Sequence, residues 1–179
     1  MLKILNYPHP VLRQVAQPVT IIDKLTKLEA QAMLKTLAPK PDKVKGVGLA
    51  ANQVGILKRI FIIKLASGNL EVCINPKILK TSKKTLACLP QEKHFLEGCL
   101  CFPGYYGFVD RPIKIKVSYQ NLNNKTVKTT LTPPHSSYFQ HELDHLNGIL
   151  FIDYINQSKQ PLYLADKKTG QLQPVNNPF

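Results

Sequence analysis

Hydrophobic positions change their spacing along this chain, and the changes mark out its elements. Ile21, Leu25, Leu28 and Ala32 recur at helical spacing, which predicts an early helix with these four as its buried stripe and Thr20-x-x-Asp23 as its cap. Gly46-Val47-Gly48-Leu49-Ala50-Ala51 then breaks helical character with two glycines. Residues 59–65, centred on Ile60-Phe61-Ile62-Ile63, are almost continuously apolar, as expected of a strand buried on both faces. Cys73 falls in a second strand-like run, Leu70-Glu71-Val72-Cys73-Ile74, as a small core residue. Residues 112–119 alternate cleanly, with Ile113, Ile115, Val117 and Tyr119 on one side and Lys114, Lys116 and Ser118 on the other. Residues 125–131 are expected to pair with them across the turn Asn121-Leu122-Asn123-Asn124. A later helix is expected to start near Ser137, capped by its hydroxyl with Gln140 three residues on, and to stop at Gly148. Phe139, Leu143 and Leu146 would anchor that helix in the core. Near the end, Leu162-Tyr163-Leu164 and Gln171-Leu172-Gln173 flank Asp166-Lys167-Lys168-Thr169-Gly170 as a terminal hairpin.

Few helices and few strands, in no regular alternation, predict an α+β fold with antiparallel or mixed sheets around one central helix. The length of 179 residues fits a single domain, residues 1–179, with one hydrophobic core. No apolar run is long enough to span a membrane. The opening Met1-Leu2-Lys3-Ile4-Leu5-Asn6-Tyr7-Pro8 looks like neither a signal nor a transit peptide, so a cytoplasmic location is expected. Four cysteines in that setting point to metal ligation or burial more than to disulfides.

Charge changes the picture more than length does. Lysine and arginine number 24 against 11 acidic residues, a formal net charge of +13. Lys77, Lys80, Lys83 and Lys84 lie close together in sequence, as do Lys114, Lys116, Lys125 and Lys128. Such a surface attracts nucleic acid, ribosomes or acidic partners in a salt-dependent way. The chain has three arginines and no aromatic-rich RNA motif, so solvation of exposed strands is the preferred reading over direct reading of a base sequence.

The candidate chemistry lies in His141-Glu142-Leu143-Asp144-His145. Two imidazoles four residues apart on a helix project from one face and can share a metal ion, with the glutamate beside the first. A hydrolytic site needs a third ligand. The position six residues after the second histidine is Phe151, and no glutamate follows Glu142, which leaves Asp153 or Asp166 as downstream substitutes. Upstream, Cys99, Cys101, His94 and His135 all remain candidates.

Three segments occur in one order: Gly46-Val47-Gly48-Leu49-Ala50-Ala51-Asn52-Gln53, Glu97-Gly98-Cys99-Leu100-Cys101-Phe102-Pro103, and Gln140-His141-Glu142-Leu143-Asp144-His145-Leu146-Asn147-Gly148. Together they resemble the signature motifs of the peptide deformylases, and Tyr7-Pro8-His9-Pro10-Val11-Leu12-Arg13 is similar to that family's N-terminus. The resemblance covers about residues 1–155 and leaves 156–179 as a divergent tail. It implies a metal-dependent hydrolase that removes formyl from the initiator methionine of new polypeptides. It implies Cys99, His141 and His145 as ligands of one divalent ion, iron(II) natively, with zinc, nickel or cobalt satisfying the same donors. Glu142 would move the proton, while Gln53 and the Leu100 N–H would hold the oxyanion. Gly46, Val47 and Gly48 would line the peptide cleft, and Glu97 with Arg111 would form a buried ion pair behind the cysteine loop. Formyl-methionyl nascent peptides are the implied partners, and a monomer is implied, with ribosome contact through the basic surface.

Departures from the family pattern sharpen these expectations. Cys101 replaces the family's usual serine and is expected to point away from Cys99, as alternate residues do in an extended segment. Tyr138 brings bulk to the methionine pocket, and Tyr105-Tyr106 stands where a basic residue is common. Asp144 is a candidate acceptor for its neighbour His145. Two other readings stand beside this one: a related hydrolase with altered side-chain specificity, and a basic ribosome- or RNA-binding protein whose metal is structural, closed by Cys101 or His135 as fourth ligand.

Overall fold

The computed structural model describes residues 1–38 and 46–179. In chain order its elements are α1 (Lys24–Leu37), β1 (Gly48–Ala50), β2 (Ile60–Lys64), β3 (Leu70–Thr81), β4 (Glu97–Cys99), β5 (Phe102–Gly107), β6 (Ile115–Gln120), β7 (Thr126–Leu131), α2 (His135–Leu146), α3 (Phe151–Ser158), β8 (Leu162–Ala165) and β9 (Leu172–Val175). Every pairing between these strands is antiparallel, in a five-stranded sheet ordered β1-β2-β3-β6-β7 and a four-stranded sheet ordered β4-β5-β8-β9. This is the expected α+β architecture.

β2 is buried on both faces because a helix lies on each side of it. Phe61 and Ile63 pack with Ile115, Val117, Tyr119, Phe139 and Leu146 on the α2 side, where Phe61 and Phe139 meet edge to face at 4.9 Å. Ile60 and Ile62 pack with Ala30, Met33 and Leu37 on the α1 side. A third apolar cluster, around Phe102, Phe151, Ile155 and Leu162, joins α3 to the smaller sheet. β6 and β7 pair as expected, as do β8 and β9 of the terminal hairpin. The helix α3 and the strands β1, β4 and β5 have no counterpart among the elements read from the sequence.

Two helix starts differ from expectation. In α1 the N-cap is Asp23, whose carboxylate accepts from the Thr26 N–H at 2.7 Å, so the Thr20 box does not form. With that start, the buried face is Thr26, Ala30, Met33 and Leu37, while Ile21, Leu25 and Leu28 are 73%, 56% and 52% exposed. The two stripes share a period, and packing against Ile60 and Ile62 of β2 selects the one with Ala30, Met33 and Leu37. α2 starts at His135, one turn before the expected position, so Ser136 and Ser137 are buried inside it and cap nothing. Its stop at Gly148 holds, since that residue has φ +73° and a Cβ there would meet the Arg13 carbonyl oxygen.

Candidate metal centre

Three chain segments meet at one point. The turn after β1 brings Gln53, the hairpin of β4 and β5 brings Glu97, Cys99, Leu100 and Cys101, and α2 brings His141, Glu142 and His145. The N-terminal segment ties the first two together, with the Leu5 N–H donating to the Gln53 carbonyl at 2.8 Å and the Tyr7 N–H to the Cys101 carbonyl at 3.0 Å. The side-chain amide of Asn52 donates to the His145 carbonyl and so fastens the end of α2 to the same turn.

Cys99, His141 and His145 offer ligand atoms that all lie within 4.8 Å of one another. His145 Nε2 is 3.2 Å from Cys99 Sγ, and His141 donates from Nδ1 to Glu97 at 3.0 Å, which leaves its Nε2 for the site. Burial, with the charge of His141 adding to it, holds His145 well below the usual imidazole value. Burial also pulls on His141, but the Glu97 hydrogen bond and charge outweigh it and raise that imidazole. Burial raises the Cys99 thiol well above its usual value, and its contact with Cys101 adds to this. A cation among these atoms would favour the thiolate instead, and the donor set of one sulfur and two ring nitrogens fits a borderline-soft divalent ion. Among the described residues, neither Cys101 nor His135 belongs to this group, and neither do His94, Asp153 or Asp166.

Glu142 lies beside this group and 4% exposed. Burial raises its carboxyl to about 7. Its Oε2 has no hydrogen-bond partner among the described residues, so one oxygen is left for a water or substrate. A Cβ at Gly48 would sit 2.2 Å from Glu142 Oε1, so the absence of a side chain at position 48 makes room for the carboxylate.

The Gln53 amide is held at both ends. Its Oε1 accepts from the Ala50 N–H at 2.7 Å, and its Nε2 donates towards Cys101 Sγ at 3.3 Å and Cys99 Sγ at 3.6 Å. Cys101 therefore does not point away from the site. Cys99 pairs with Phe102, which makes Leu100 and Cys101 the two turn residues of the hairpin, and alternation does not carry through a turn.

Behind the hairpin, Arg111 makes two hydrogen bonds to Glu97 and a third to Asp144 at 2.8 Å, with its guanidinium over the Tyr154 ring at 5.1 Å. Burial alone would raise the Glu97 carboxyl, but Arg111 and His141 bring it down to about 2. Asp144 thus faces Arg111, and the expected bond from His145 does not form, because adjacent helix positions point about 100° apart.

A cleft of about 410 Å³ opens over these groups, lined by Gly46, Val47, Gly48, Gln53, Leu100 and Tyr138. Phe95, Leu96, Tyr105 and Tyr106 complete its apolar wall. Phe95 and Leu96 carry one signal in the sequence, that they immediately precede the cysteine segment. Asn52 was part of a recognised segment, but its tie to α2 carries no signal in sequence spacing.

Comparison with known proteins places these observations in context. Residues 1–161 match the family described as polypeptide deformylase. A peptide deformylase of Rhizobium meliloti is 38% identical over 161 residues, spanning 88% of this chain and 86% of that protein. The crystal structure of peptide deformylase from Thermotoga maritima superposes with a TM-score of 0.76 at 38% identity, covering 86% of this chain and 97% of that one. A peptide deformylase from Synechococcus elongatus in complex with actinonin gives 0.75 at 37% identity, with 86% and 78% covered.

Proposed function

The chain belongs to the polypeptide deformylase family, and on that premise we propose that it cleaves the formyl group from the N-terminal methionine of newly made polypeptides. The observation that carries the reading is the convergence of Cys99, His141 and His145 beside a cleft that Cys99, His141 and Glu142 line. These three residues would hold one divalent ion, natively iron(II), with zinc, nickel and cobalt suited to the same donors. Bound there, the ion supplies Lewis acidity to the formyl carbonyl and acidifies water.

The remaining work falls to the chain's own side chains. Glu142 takes the proton of the attacking water and passes it to the departing amine, so that the C–O bond forms, the C–N bond breaks, and formate and a free amino terminus result. The Gln53 Nε2 and the Leu100 N–H hold the negative charge that develops on the formyl oxygen; one such donor is worth about 3 kcal/mol. Backbone groups of Gly46, Val47 and Gly48 hold the peptide as an added strand. Glu97 fixes His141 through its Nδ1–H, and Arg111 fixes Glu97.

Tyr138 supports a narrower variant of this reading. It lines the cleft with Tyr105 and Tyr106, so the side-chain pocket is tighter and more aromatic than a small residue at 138 would leave it, and specificity would shift accordingly. We further propose that the protein works as a cytoplasmic monomer, reaching nascent chains through contact of its basic surface with the ribosome. Among the described residues, no helix is long and apolar enough to cross a membrane.

Anaerobic, iron-loaded protein is expected to release formate from a formyl-methionyl tripeptide. Glu142→Gln is expected to bind the same metal equivalents and lose about a thousandfold in kcat. Undiminished formate release by that variant would overturn the mechanism.

A further inference from the structure

The outer face of the larger sheet is divided. α1 covers it over β1, β2 and the first half of β3, through Ile60, Ile62, Val72 and Ile74. Beyond that, β3, β6 and β7 carry polar side chains on the same face, and Lys77, Lys80, Lys116, Lys128 and Thr130 are all exposed. Register arranges them in two rows. Lys116 stands between Lys80 and Thr130, and Ser118 between Lys77 and Lys128. Neighbouring strands lie about 4.8 Å apart, so Lys80 and Lys116 are directly opposed like charges, an arrangement that opposes sheet pairing. Lys83, Lys84 and Lys114 extend the face at one end and Lys125 at the other, all exposed.

Nothing in these segments offsets the charge. Residues 72–91 and 111–141 contain no aspartate or glutamate. None of these lysines is in an ion pair among the described residues. A groove of about 500 Å³ adjoins this face, where the lead into α1 meets the turn between β6 and β7. It is lined by Ile21, Ile22, Leu122, Lys27 and the amides of Gln120, Asn123 and Asn124. The Gln120 amide is engaged by Asn75 and Asn124, so the apolar side chains with the Asn123 amide and the Asn124 Nδ2 suit the face and edge of an unpaired base, while a lipid headgroup would use the charge alone.

We propose that this face binds single-stranded RNA, with the backbone phosphates on the lysine rows and one unstacked base in the groove beside Ile21. The phosphates take Lys77, Lys80, Lys116 and Lys128, with the Ser118 and Thr130 hydroxyls donating between them. The commitment to RNA over DNA rests on the proposed action on nascent polypeptides, which emerge next to RNA. The cleft is built from other elements, so RNA binding and formyl hydrolysis are separable.

Fluorescence anisotropy with a short labelled oligouridylate tests this directly, on the intact metal-loaded protein at about 50 to about 200 mM salt. Replacing Lys77, Lys80, Lys116 and Lys128 by glutamine is expected to weaken RNA binding at least tenfold and to flatten the log–log salt slope by about 3, near 0.7 per lost contact. The same variant is expected to melt no lower than the parent and to hydrolyse a formyl-methionyl tripeptide at an unchanged rate. Ile21→Ala is expected to weaken RNA binding with the salt slope unchanged, because it removes contact with a base and no charge. Unaltered RNA affinity in the lysine variant, tighter binding to the matching oligodeoxyuridylate, or a preference for phosphatidylserine vesicles would overturn the proposal. Failure of formate release in the parent protein would instead count against the catalytic reading and leave the RNA result standing.

Discussion

Gln53 has one of its two amide ends held by backbone and the other by sulfur, and the second hold comes from a residue that sequence pattern aimed elsewhere. Cys101 sits 3.3 Å from the Gln53 Nε2 and is 1% exposed. Contact with Cys99 lowers the Cys101 thiol despite its burial, and the Gln53 amide adds to this. Cys101→Ala is expected to free the Gln53 amide and reduce kcat about tenfold with little change in KM, because the lost alignment matters in the transition state. Cys101→Ser keeps an acceptor and is expected to stay within about threefold of the parent. Steady-state kinetics on a formyl-methionyl peptide checks both, and equal rates for the alanine and parent proteins would remove Cys101 from the account. At this scale residue types were legible and directions were not. The two histidines and Glu142 announce themselves by chemistry and spacing, but the aim of Cys101 depends on a two-residue turn that only pairing of Cys99 with Phe102 establishes.

Among the elements, α1 shows how a correct helix can carry the wrong face. Period alone admits both the Leu25–Leu28 stripe and the Ala30–Met33–Leu37 stripe, and packing against Ile60 and Ile62 selects the second. The Asp23 carboxyl lies below its ordinary value of 3.8 because the Thr26 N–H donates to the ionised form. A lowered carboxyl adds stability above its unfolded value, and that stability is lost as pH falls through the folded value. Asp23→Asn retains a capping oxygen without the charge. Thermal midpoints measured between pH 5 and pH 3, an interval of about two units around the aspartate range, are therefore expected to fall more for the parent than for Asp23→Asn. Equal falls would mean that the carboxylate contributes nothing to the cap. β2, β6 and β7 were readable from sequence because burial on two faces or on one writes a distinct pattern along each strand. α3 was not, since its eight residues are too few for a period to stand out.

Across the whole molecule, Arg111 links parts that are far apart in sequence: Glu97 on β4, Asp144 on α2 and Tyr154 on α3. Arg111→Gln leaves the buried Glu97 and the half-buried Asp144 without their cation and is expected to cost about 3–5 kcal/mol of unfolding free energy, measured by urea denaturation. It also loosens Glu97 and hence His141, so metal affinity is expected to fall about 10- to 100-fold by competition with a chelator. A variant as stable as the parent would show that the pair does not support the hairpin. The sequence by itself determined the α+β class, the strands β2, β6 and β7 with the terminal hairpin, the two histidines with their glutamate, and a surplus of positive charge, because each of these is written in local spacing or composition. Tertiary structure decided which of the four upstream candidates lies with the two histidines, since Cys99 meets His145 only when the β4–β5 hairpin folds onto α2. It decided likewise that Gly48 leaves room for Glu142, that Cys101 turns inward to Gln53, and that lysines from β3, β6 and β7 share one face. Each is a contact between residues distant along the chain, which local periodicity does not record and only packing can bring about.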